Sequence, residues 1–331
     1  MQNVDINLGW ACNNNCLFCS NGQATPAQRN WGDHDEIKAE IIARHNQGAE
    51  SIGFLGGEPT IYPKIKQLIR LAKHHGYKRI SICTNGRKLS ENSFLLELIE
   101  AGLTRVALSI HSHKSSLEDE ITGRKGSFEQ KIKAISNLVA AKGAGLLPDG
   151  FSLNVVLHGK NVNHLVDFSR FMAKRSVNDI RFNFIRPAYK ALHSKTWVPS
   201  LKTVTPSLLS VIAENESRLF LTMTFADIPL CKFPWQVLAS RQLRDKYIGE
   251  NWDLATEVTQ HRPIQYQEQS TNRFNWKQQR QEKLKSYPAP CLNCPYKASS
   301  CEGIWQGYLD IYGEAEFAGS AAMVQASMSN T

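Results

Sequence analysis

Three cysteines near the start of the chain form the run Cys12-Asn13-Asn14-Asn15-Cys16-Leu17-Phe18-Cys19, a C-x3-C-x2-C spacing directly behind a strand-like segment. Thiolates are soft ligands, and three so close together suit an iron–sulfur cubane, which needs sulfur on several irons at once. A [4Fe–4S] cube has four corners, so three protein ligands leave one iron open to something that is not protein. A three-thiolate zinc site, or three unrelated thiols, would read the same way in isolation. Downstream, the short apolar segment Ser51-Ile52-Gly53-Phe54-Leu55 runs into Gly56-Gly57-Glu58-Pro59-Thr60. The glycines let the backbone approach a ligand with no Cβ in the way. Glu58 offers an acceptor to an ammonium group, and Pro59 stiffens the exit. A second thiol set lies in the last third: Cys291-Leu292-Asn293-Cys294, then Cys301, with Cys231 standing alone upstream. Four thiolates complete a cubane with no open iron, or hold a structural zinc.

These residues need a scaffold, and the intervening sequence supplies a repeating one. Val4, Ile6, Leu8 and Trp10 alternate with polar residues and predict a strand leading into the cysteines. Asp33 caps a helix that ends near Gly48, and Pro63 opens another whose stripe is Ile65, Leu68, Ile69 and Ala72, closed by Gly76. Residues 79–83 predict a third strand ending in Thr84-Asn85-Gly86, residues 90–101 a helix stopped by Gly102, and residues 103–110 a fourth strand. Ser127 is the expected cap of a helix with Phe128, Ile132, Ile135 and Val139 on one face. Residues 151–157 form strand five, and Leu165, Phe168 and Met172 line the next helix. Ile180, Phe182 and Phe184 mark strand six. Six β/α units in series imply an α/β fold with a parallel sheet and right-handed crossovers, a barrel or part of one. Reactive groups belong at the strands' C-terminal ends, where these motifs fall.

Composition bounds the rest. With 331 residues, 42% of them hydrophobic, the chain can bury one large core, or one core and an extension. There is no run of eighteen apolar residues and no basic-then-apolar start, so a soluble, cytosolic protein with no membrane partner is expected. Eight cysteines in such a chain argue for metal rather than disulfides. The net charge of +9 is spread out, which speaks against nucleic acid and allows an anionic substrate or an acidic electron donor.

Together, the cysteine run and the Gly-Gly-Glu-Pro segment one strand later resemble the radical S-adenosylmethionine (SAM) family. The resemblance implies a partial (β/α)6 TIM-like barrel in which Cys12, Cys16 and Cys19 hold a [4Fe–4S] cluster whose open iron is chelated by SAM. It implies further that Gly56, Gly57, Glu58 and Pro59 hold the amino group of SAM, and that Thr84, Ser109 and Asn154 touch its carboxylate or ribose. Phe18 would lie beside the adenine, or simply cover the cluster. The C-terminal third resembles the twitch type of auxiliary domain, related to the SPASM type. A complete SPASM domain brings seven cysteines for two clusters; the four here, Cys231, Cys291, Cys294 and Cys301, imply one auxiliary [4Fe–4S] cluster. The expected domains are a core barrel over 1–217 and an auxiliary domain over 218–317. The latter contains a basic, Gln-rich insertion near 241–285, with Trp252, Tyr266, Phe274 and Trp276 as anchors, and a disordered tail follows over 318–331.

The implied activity is reductive cleavage of SAM to a 5′-deoxyadenosyl radical that abstracts hydrogen from a small-molecule natural product or a peptide. Oxidation, epimerisation, crosslinking or rearrangement could follow, and a flavodoxin or ferredoxin would donate the electron. Only eleven residues precede Cys12, so no separate N-terminal peptide-binding domain is expected. The other class to weigh is a non-catalytic iron–sulfur electron carrier or redox sensor. His111 and His113 follow strand four and could face substrate or serve structure, and Arg124 and Lys125 could meet an anion or simply be solvated. Cys83 precedes Thr84, so if Thr84 faces SAM, Cys83 should face the helices.

Overall fold

The computed structural model describes residues 2–19, 30–248, 256–261, 271–297 and 301–319. Strand β1 (Gln2–Asn7) leads into the cysteine loop, and α1 (His34–Asn46) returns the chain to β2 (Ala49–Leu55). The alternation continues through α2 (Ile65–His75), β3 (Arg79–Thr84), α3 (Asn92–Ala101) and β4 (Arg105–Ser109). Two helices, α4 (Ser115–Thr122) and α5 (Ser127–Gly143), separate β4 from β5 (Phe151–Leu157); α6 (Leu165–Ala173), β6 (Asp179–Phe184), α7 (Leu201–Glu214) and β7 (Thr222–Ala226) follow. All seven strands pair in parallel in sequence order. The fold is α/β, a curved parallel sheet of the partial-barrel kind.

Two extensions differ from the expected six-stranded core. The boundary drawn after residue 217 falls just before β7, which pairs in parallel with β6 along Asp179–Asn183. On the opposite edge, β8 (Thr256–His261) pairs in parallel with β1, and β9 (Thr271–Asn275) pairs antiparallel with β8. Part of the expected insertion is therefore sheet. Its anchors Trp252 and Tyr266 lie outside the described residues, as does the expected tail from 320 onward.

Local physics accounts for the helices. Asp33 caps α1 as expected, its Oδ1 accepting from the amides of Asp35 and Glu36 at 2.9 Å. In α2, Ile65, Leu68, Ile69 and Ala72 are buried, and Gly76 ends the helix at φ 95°, in the left-handed region. Each large member of that stripe contributes roughly 1.5–3 kcal/mol. Ser127 does not cap α5. It is the first helical residue, and Asp119 of α4 accepts from the amides of Gly126 (2.6 Å) and Phe128 (2.9 Å) instead.

Within the sheet, residues alternate between two buried environments. Ile52, Phe54, Ile80, Ile82, Val106 and Leu108 face the helices. Their neighbours Asp5, Ser81, Cys83, Ser109, Asn154 and Arg181 line a polar lumen on the concave side, and all are half-buried. Among the described residues no helix is long and apolar enough to cross a membrane.

Candidate functional site

The cysteine loop is held from two sides by backbone. On one side, the Gly57 amide donates to the Gly9 carbonyl and the Glu58 amide to the Ala11 carbonyl, both at 2.8 Å. A Cβ on Gly57 would lie 2.0 Å from the Ala11 carbonyl oxygen, and one on Gly56, at φ 139°, would lie 2.7 Å from that of Gly9. The two glycines are therefore required by the cysteine loop's own backbone. On the other side, the Asn15 amide donates to the Thr122 carbonyl (2.9 Å) and the Leu17 amide to that of Ile121 (3.0 Å). The loop is thus zipped between the β2 exit and the C-terminus of α4. Arg87 adds a clamp, donating to the Asn13 carbonyl at 2.8 Å, and Asn85 donates to the Asn13 side chain at 2.7 Å.

Glu58 and Thr84, both expected to meet SAM, meet each other. The Glu58 carboxylate is 1% exposed and accepts from the Thr60 amide and hydroxyl, the Thr84 hydroxyl (2.5 Å) and the Asn85 amide (2.6 Å). Thr84 also accepts from the Gly86 amide at 3.0 Å. These groups pin the β2 and β3 exits together, three of the donors falling on Glu58 Oε1 and one on Oε2. Burial pushes the Glu58 carboxyl up, against those hydrogen bonds.

Ser109 and Asn154 stand side by side on β4 and β5, both on the lumen face. Cys83 stands with them, its Sγ 3.8 Å from the Asn154 amide nitrogen, and not against the helices as expected. Period-two alternation holds, but it is Thr84 that turns away from the lumen. Burial, then the carboxylates of Glu58 and Asp5, push the Cys83 thiol up to about 11, so it stays protonated. Asp5 is a site residue the sequence reading missed. It lies over Gly53, where any Cβ would fall 2.1 Å from its Oδ1, and burial pushes its carboxyl up to about 7.

Phe18 packs edge-on to His111 at 4.9 Å and against His158 and Trp197 at 5.5 and 6.2 Å. His111 is buried, accepts from the Val156 amide and is held neutral by burial. His113 sits against His164 and Phe171. Arg124 and Lys125 are exposed.

Beneath the loop lies a feature that sequence reading also missed. Lys131 and Glu118, 1% and 0% exposed, form an ion pair at 2.5 Å, while the other Glu118 oxygen accepts from the amides of His111 and Ser112. Burial pushes the Cys16 thiol up to about 12; Lys131 opposes the shift, and Cys19 and Cys12 add to it. The three thiols are close enough to feel one another.

The second group also comes together. Cys231, Cys291, Cys294 and Cys301 line one small cavity with Tyr287 and Tyr296. Burial and then the other three thiols push Cys291 up to about 11. Among the described residues no three His, Cys, Asp or Glu side chains converge as tightly as one metal ion requires.

Comparison with known proteins agrees with this geometry. The Radical SAM superfamily model matches residues 6–172. The Sulfurisphaera tokodaii protein named "Probable GTP 3',8-cyclase" is 31% identical over 187 residues, 56% of this chain and 57% of that protein. The chain thus spans little more than half the length of the curated relatives it matches. Among solved structures, Streptococcus suis SuiB bound to S-adenosylmethionine superposes with a TM-score of 0.57 at 16% identity, over 82% of this chain and 62% of SuiB. Native anSMEcpe with bound AdoMet and the Cp18Cys peptide gives 0.61 at 15% identity, over 100% and 99%. Both show a shared fold.

Proposed function

Because this chain belongs to the radical SAM superfamily, whose members use SAM and a [4Fe–4S] cluster, we propose that Cys12, Cys16 and Cys19 hold that cluster. The observation that carries the assignment is the doubly zipped cysteine loop, which holds the three thiols between the Gly56-Gly57 turn and α4. When bound, the cofactors supply one-electron cleavage of the SAM sulfonium and a 5′-deoxyadenosyl radical that takes hydrogen from an unactivated carbon. The protein positions and excludes. The Gly56–Pro59 turn meets the SAM amino group, with Glu58 Oε2, which accepts only from the Asn85 amide among the described residues, and the backbone carbonyls as acceptors. Ser109 and Asn154 offer a hydroxyl and an amide to its ribose or carboxylate, and Phe18 with Trp197 and His158 keeps water from the cluster side. Ligation must release the thiol protons; burial holds that of Cys16 high, and Lys131 lowers the cost there.

Cys231, Cys291, Cys294 and Cys301 hold an auxiliary [4Fe–4S] cluster that passes electrons or shapes the substrate cavity; their shared cavity supports this reading. The substrate is a small molecule. The curated relatives, named for a cyclase of GTP, support that choice, whereas solved neighbours were determined with peptides, which makes a peptide the second reading. An acidic flavodoxin or ferredoxin suits the chain's net charge of +9.

The test is anaerobic reconstitution with iron and sulfide, followed by SAM and dithionite, with 5′-deoxyadenosine as readout and Cys16→Ala as control. Product from the wild type alone is the expected result. No product from protein shown to hold about eight irons would favour an electron carrier.

A further inference from the structure

A cavity of about 600 Å³ opens beyond the end of β6, between residues 186–192 and the C-terminal segments at 283–284 and 305–310. That volume suits a whole small molecule. Its walls include Arg186, Tyr189, Lys190, Lys283, Trp305 and Asp310, three cations against one carboxylate. One wall is built rather than incidental. The helix Gln306–Tyr312 packs so closely on the β6 exit that a Cβ on Gly307 would lie 2.5 Å from the Pro187 carbonyl oxygen, and the Leu201 amide donates to the Tyr308 hydroxyl at 2.8 Å.

Among the described residues, the Arg186 guanidinium and the Trp305 indole have no hydrogen-bond acceptor. Arg186 is half-buried, with its guanidinium 5.7 Å from the Trp276 ring and 5.8 Å from the Trp305 ring; the nearby Asp227 carboxylate is bound by Lys285 at 2.8 Å, and no ion pair joins a carboxylate to Arg186 among the described residues. Trp305 is 4% exposed, yet its indole Nε1–H finds no acceptor there. Lys190 makes one 3.3 Å contact, to the Asn15 side chain of the cysteine loop. Asp310 is engaged by Gln306 at 2.9 Å. A planar guanidinium held against rings and in no ion pair is prepared for a carboxylate or phosphate.

We propose that this cavity is the substrate's anion site: it takes the phosphate or carboxylate of a small substrate against Arg186 and Lys190, with Trp305 on its wall. The proposal rests on the radical SAM reading only in calling the bound molecule a substrate. The Lys190–Asn15 contact brings the anion site beside the cysteine loop, so the rest of the molecule can reach the lumen.

Tryptophan fluorescence of the reconstituted holoenzyme tests it, titrated with pyrophosphate, glutarate and GTP. Saturable quenching by pyrophosphate or glutarate is expected, with affinity falling at least tenfold in Arg186→Gln and several-fold in Lys190→Gln. Lys190 is exposed, so its variant should fold; Lys133→Gln, an exposed change on α5, should bind as wild type does. Preference for pyrophosphate identifies a phosphate ester, preference for glutarate a carboxylate, and tighter binding of GTP adds a ring to the occupant. No saturable quenching, or affinities unchanged in both Arg186→Gln and Lys190→Gln, would overturn the site. Wild type that binds the anions without ever forming 5′-deoxyadenosine would sink the radical SAM reading and leave the anion site standing. Wild type that forms it yet binds neither anion would do the reverse.

Discussion

Asp5 carries the clearest pH signature of any single side chain in the lumen. Its ordinary value is 3.8 and burial lifts it to about 7, so between those limits the folded chain keeps a proton that the unfolded chain has lost. The stability it contributes is complete below the lower value and gone once the pH passes the upper one. Asp5→Asn should therefore be more stable than wild type at pH 8, by on the order of 1–3 kcal/mol, and not at pH 4. Urea unfolding at both pH values checks this, and an equal gain at each would refute it. Glu58→Gln puts an amide where four donors converge. It should cost about 1–3 kcal/mol and weaken SAM binding measured by calorimetry; an unchanged unfolding midpoint would show that those donors find other acceptors. The motif residues were legible in the sequence because their types and spacing are specific. The orientation of Cys83 was not. Alternation says which residues share a face, but when both faces are buried it does not say which face is the lumen.

At the scale of elements, α4 and α5 do the unforeseen work. The sequence stripe of α5 was read as Phe128, Ile132, Ile135 and Val139, yet its buried residues include Ser127, Lys131, Ala134, Ile135 and Leu138. The expected stripe does pack on the core, Phe128, Ile132 and Val139 partly buried, but the buried face is wider because α4 covers a second side and takes Lys131 inside. Charged residues on a helix read as a solvated side, and nothing local marks the pair that Lys131 forms with Glu118. Lys131→Met leaves Glu118 buried and unpaired, and should lower stability by about 3–5 kcal/mol. Lys131→Met combined with Glu118→Gln keeps an acceptor for the amides of His111 and Ser112 and should recover at least half. Chemical denaturation of both variants decides the matter: a double variant no better than the single would mean that the pair is not the cause.

Across the whole molecule, the β8–β9 arm is joined to α1 through one buried carboxylate. Glu40, 3% exposed, accepts from Thr259 at 2.6 Å, Arg44 at 2.7 Å and Arg273 at 2.5 Å. Burial raises its carboxyl, but the hydrogen bonds from Arg273, Thr259 and Arg44 prevail and hold it at about 2, below the ordinary 4.5. This contribution is present above the ordinary value and lost as the pH falls toward the lower one. Glu40→Gln should lose about 1–3 kcal/mol at pH 6 and be cut faster by protease within residues 241–285. At pH 3 the difference from wild type should shrink, and a gap that stays constant from pH 6 to pH 3 would refute the linkage. Sequence reading missed the arm because its Gln-, Arg- and Lys-rich composition hides the alternation that marks β1 to β6. The pairing of β8 with β1 has a consequence for biosynthesis. The strand that leads into Cys12 leaves the ribosome long before the strand that covers its outer edge. Until then the nascent barrel presents an unpaired edge beside three reactive thiols, a template for aggregation and a target for oxidation. Metal delivered before residue 256 emerges would shield that edge's most vulnerable neighbours, so the timing of iron supply during translation should govern how much protein survives to fold.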